Sequence, residues 1–86
     1  MGLDREAAST ALASFLQDKS LTANQMEFVN LVVQHLTENG VMEAALLYEP
    51  PFTAYAPQGP DALFTSAQVE QLIGVLDDVR ANALAA

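Results

Sequence analysis

The chain has 86 residues, 51% of them hydrophobic, and sets three basic side chains against eleven carboxylates for a net charge of −8. That length allows one domain, residues 1–86, with one modest core, and the composition is globular rather than disordered. The charge excludes the clustered Lys and Arg of a phosphate-tracking surface, the lack of Cys excludes a disulfide framework or thiolate zinc site, and no apolar run approaches the ~18 residues of a membrane span.

The first helix is predicted from Gly2 to Lys19, capped by Asp4, with Ala8, Ala11, Leu12, Phe15 and Leu16 as its apolar stripe. Its Ala-rich surface allows another helix to approach closely. Asp18, Lys19 and Ser20 form a polar turn into the strongest helical signal of the chain, Leu21 to Val41. There Thr22 and Gln25 have capping-box spacing, and Leu21 and Met26 are placed for a hydrophobic staple. Met26, Phe28, Val29, Val32, Val33 and Leu36 cover one broad side; Glu27, Asn30, Gln34 and Glu38 cover the other, with Leu31 out of place among them. Gly40 can take a positive φ, which lets Val41 touch Leu36 in a Schellman close.

A short third helix is expected next, with Val41, Ala44, Ala45 and Tyr48 on one side and Met42 and Leu46 or Leu47 flanking. Pro50 and Pro51 end it. From Glu49 to Pro60 the prolines argue against regular structure. Phe52 and Tyr55 in this stretch are expected to anchor an ordered loop on the core, with a peptide-binding aromatic pair as the alternative. Pro60 starts a single turn through Phe64, and Thr65 and Gln68 then repeat the capping box, with Phe64 and Val69 as its staple. The fourth helix presents Val69, Leu72, Ile73, Leu76, Val79 and Ala83 on one face, and its last residues are expected to fray. No segment alternates with period two. The expected fold is all-α: a small helical bundle of three main helices plus one short helix and a long Pro-rich loop. Helices two and four should form its centre.

Nucleophilic catalysis needs a nucleophile beside a positioned base, and the only His is His35, at the edge of the polar face of helix two. It reads as a boundary or partner-contacting residue. Glu38 stands three residues on, but two neighbours do not make a metal site. Asp77 and Asp78 diverge on a helix, and Gly59 and Gly74 stand alone rather than in a phosphate loop. No catalytic, cofactor or metal residue is assigned. The candidate partner contacts are Leu31, His35, Phe52 and Tyr55, and the structural caps are Thr22, Gln25, Gly40, Thr65 and Gln68. On the residues alone the chain reads as a soluble helical module for protein interaction or assembly.

Four stretches in order carry a resemblance: Leu21 to Val33, His35 to Met42, Leu46 to Thr53 and Gly59 to Phe64. Together they resemble the extreme C-terminal domain of the R (restriction) subunit of type I restriction–modification enzymes, of the EcoEI and EcoKI kind. The similarity runs from about Leu3 to Leu84, and departs where this chain has Pro50 and the family often has Ser. What the resemblance implies is a cytoplasmic enzyme larger than the chain. Its R subunit joins a nuclease domain to two RecA-like ATPase domains that use ATP and Mg to translocate DNA. None of those motifs is present here, so no catalytic residue carries over. The implied role is attachment of the R subunit to the methyltransferase core of modification and specificity subunits. The alternatives are a helical interaction or dimerisation module unrelated to restriction, and a domain that contacts DNA directly.

Overall fold

The computed structural model describes residues 4–85, and the side chains of residues 4–82. The expected helix start at Gly2 therefore lies outside the described residues, and the side chain of Ala83, expected on the apolar face of the fourth helix, lies outside the described side chains. Helix α1 spans Arg5–Ala11, and its Asp4 cap accepts from the Ala7 N–H at 2.8 Å. The expected single first helix is broken at Leu12 (φ −107°, ψ 18°), and α2 is a further turn, Ala13–Leu16. At the break the Leu12 N–H turns to the Thr10 carbonyl. Ala8, Leu12 and Phe15 stay buried on both sides of it. Apolar periodicity reports burial, which the break preserves, so it did not reveal the break. The expected polar turn follows: the Ser20 N–H and Oγ donate to Asp18 Oδ1 at 2.9 and 2.6 Å. These bonds hold the exposed Asp18 carboxyl below its ordinary range.

Helix α3, Ala23–Asn39, carries the predicted capping box. Gln25 N–H donates to Thr22 Oγ1 at 3.2 Å, and Thr22 N–H donates to Gln25 Oε1 at 2.7 Å. The same glutamine donates from Nε2 to the Leu63 carbonyl at 2.8 Å, which ties the start of α3 to the approach of the last helix. Gly40 (φ 84°) ends α3 with one bond from its N–H to the Leu36 carbonyl at 2.8 Å. This single bond is the αL form of the cap rather than the pair of bonds of the expected Schellman close, and Val41 beyond it is exposed.

The third element is a 3₁₀ turn, Ala44–Tyr48, not a two-turn α-helix. Its tighter winding changes which residues share a side. Met42 and Leu47, expected to flank, face the core, while Val41 and Tyr48, expected to share the apolar side, are exposed at 38% and 45%. The Pro-rich stretch is also less irregular than expected, since Phe52–Ala54 form a second 3₁₀ turn. Pro60–Ala62 form the third, as predicted. Helix α4 then runs Ser66–Ala85 behind the second capping box, with Gln68 N–H to Thr65 Oγ1 at 3.2 Å and Thr65 N–H to Gln68 Oε1 at 2.9 Å. No strand occurs among the described residues.

All four phenylalanines of the chain meet in the core. Phe28 of α3 packs edge-on against Phe52 (5.3 Å between centroids) and Phe64 (5.6 Å), and Phe64 in turn meets Phe15 (6.1 Å). The second and fourth helices, expected to form the centre, both supply core residues, but they are not each other's closest neighbours. The helices packed most closely on α3 are α1 and α2. Ala8, buried to 0% exposure, leaves room for that approach. The α4 side of the core is filled instead by Phe64, Val69, Leu72 and Leu76.

Gly74 sits exposed within α4, and a Cβ built there meets nothing within 4 Å. Gly74→Ala is therefore expected to raise stability by about 0.5–1 kcal/mol through helix propensity. The shift of the urea midpoint at constant slope measures it.

Candidate docking cleft on the outer face of α3

Helical geometry places Glu27, Leu31, Gln34 and Glu38 in one stripe roughly 60° wide. Leu31, the apolar residue out of place on this face, is half-buried and packs against the core. The chain returns to it at the Pro-rich loop. Leu31, Gln34, His35, Glu38, Pro51 and Phe52 line an open cleft of about 150 Å³. The first turn of that loop is fixed by the Phe52 ring, which is 2% exposed and wedged against Phe28. His35 is half-buried and also near Phe52, 6.5 Å between ring centroids. The rim is polar: Gln34 Nε2 donates to Glu38 Oε1 at 3.1 Å across one helical turn.

Three of the four contact candidates thus come together at one cleft. Leu31 and His35 line the cleft and are half-buried. Phe52 is corrected from a displayed contact to a buried anchor, because the aromatic cluster takes its ring. Tyr55 is half-buried elsewhere, lining a separate hollow of about 170 Å³ with Ala56, Pro57, Gln58, Ala62 and Leu63. Loop anchoring, the first of the two expectations for Phe52 and Tyr55, is what the packing of both side chains shows. Among the described residues no three His, Cys, Asp or Glu are grouped to hold a metal ion. Nor is any helix among them long and apolar enough to cross a membrane.

One arrangement escaped the sequence reading. The Tyr48 ring lies over Gly59 (φ 93°), where a Cβ would fall 2.8 Å from two ring carbons. The phenol donates to Asp61 Oδ2 at 3.2 Å. Partial desolvation, and then the Asp61 charge, hold the Tyr48 phenol above its ordinary range. The signal was available in the Gly59-Pro60-Asp61 run, but not the partner eleven residues upstream. An Arg80–Glu43 pair at 4.0 Å is exposed on both sides and contributes little.

A family model described as EcoEI R protein C-terminal matches residues 1–80 of the chain. No curated protein and no solved structure is significantly similar to it.

Proposed function

Because the chain belongs to the EcoEI R protein C-terminal family, the C-terminal domain of the R subunit of type I restriction enzymes, we propose that it serves as the assembly domain of that subunit. In this reading it docks the ATP-driven, DNA-translocating endonuclease onto the methyltransferase core of modification and specificity subunits. The domain itself is non-catalytic, and ATP, Mg and the nuclease chemistry belong to the rest of the R subunit. The observation that carries the proposal is the family match over nearly the whole chain. The acidic balance supports it, since a net charge of −8 suits a protein partner better than a nucleic acid. The reading of a helical module unrelated to restriction falls with the family match.

The test is binding of the full R subunit to the assembled modification–specificity core, with and without this domain. Deletion is expected to weaken binding by at least about 100-fold, a loss of about 2.8 kcal/mol. Equal binding by the truncated subunit would overturn the proposal.

A further inference from the structure

We propose that the α3 cleft is the docking point itself, and that it takes one apolar side chain carried on a basic segment of the methyltransferase core. This inference rests on the assembly reading above. Leu31, Pro51 and Phe52 give the cleft an apolar part beside polar Gln34, His35 and Glu38, and its space of about 150 Å³ is on the scale of one side chain. Its surroundings define the charge of the occupant. Glu38 stands on the rim, and Glu27 lies on the same stripe three turns earlier, roughly 16 Å along the axis. Both are exposed and neither is in the Arg80–Glu43 ion pair, although Glu38 accepts the rim bond from Gln34. No Lys or Arg lines the cleft. An apolar anchor with Lys or Arg to either side would fill the cleft and meet both carboxylates, whereas phosphate would be repelled. Leu31 then has a reason to stand on an otherwise polar face: it gives the charged stripe its apolar centre.

The experiment uses the full R subunit and the assembled modification–specificity core as probe. Three forms are compared with the parent: Glu27→Lys/Glu38→Lys, Leu31→Gln, and Glu70→Lys/Asp78→Lys, which makes the same change of net charge on exposed positions of α4. Thermal melts check folding, and if Leu31→Gln melts early the charge variants alone decide. The cleft pair is expected to weaken core binding at least about tenfold and to reduce its salt dependence, and the α4 pair less than about twofold. Equal loss from the α4 pair would mean an undirected charge effect and overturn the inference. Parent-like binding by the cleft pair, where deletion of the domain abolishes binding, would overturn the cleft and leave the assembly role standing. Unchanged core binding with altered self-association or DNA binding would assign the cleft to another occupant and equally overturn it. Deletion without effect would remove both readings.

Discussion

Phe28→Ala is expected to destabilise the domain by about 3–5 kcal/mol, the cost of removing a buried aromatic side chain and leaving a cavity. The position is the hub of the core. Its side chain has no exposed surface and makes edge contacts with both Phe52 and Phe64. Those two rings hold the Pro-rich loop and the entry to α4, so the cavity opens where three segments join. A chain of 86 residues commands only about 4–13 kcal/mol of total stability. The variant should therefore sit near the edge of folding at 37 °C. Urea unfolding followed by far-UV circular dichroism measures the loss, and Phe28→Leu should recover part of it. A loss below about 1 kcal/mol would show that the site collapses around the missing ring. The cleft is coupled to the same hub, because Phe52 is both a cleft wall and a neighbour of Phe28. Core binding by the R subunit should fall with Phe28→Ala for that structural reason, which is why the cleft is better tested at Glu27 and Glu38.

The parts of this fold that were legible in the sequence are those fixed by chemistry within one turn of chain. Thr22 with Gln25, and Thr65 with Gln68, each satisfy backbone donors three residues away, so the spacing alone locates both helix starts. Asp4 and Gly40 act over the same short range. The errors arose where a residue's place depends on distant chain. An apolar face shows that α3 and α4 are buried but not against what, and the close partner of α3 proved to be the Ala-containing first segment. The turn after Gly40 fits an α-helical or a 3₁₀ winding equally well on composition, and only the tighter form puts Leu47 inside and Tyr48 outside. The cleft was half legible. Leu31 stood out as an apolar residue on a polar face and His35 as a boundary residue. That Pro51 and Phe52 would close one side of the same space is a tertiary fact, and no local pattern encodes it.

Gly59 makes the second large effect. Its backbone (φ 93°, ψ 167°) lies in a region essentially confined to glycine, where a side chain costs about 1–3 kcal/mol. Gly59→Ala adds a second penalty, because the new Cβ would fall 2.8 Å from Cδ2 and Cε2 of Tyr48. The ring is exposed enough to swing away, but in doing so it gives up the bond to Asp61 and its cover over the loop. The combined loss is expected to be about 2–4 kcal/mol. A double-mutant cycle separates the two parts. In a Tyr48→Ala background the steric part disappears, and the remaining cost of Gly59→Ala should be the backbone part, about 1–3 kcal/mol. If Gly59→Ala costs the same with and without the tyrosine, the ring does not press on Gly59. If it costs less than about 0.5 kcal/mol in both, the loop tolerates a side chain there and neither penalty operates. The expected outcome makes the Tyr48–Gly59–Asp61 contact the lock that closes the 48–61 segment into a loop, and that loop is what carries Pro51 and Phe52 to the side of Leu31.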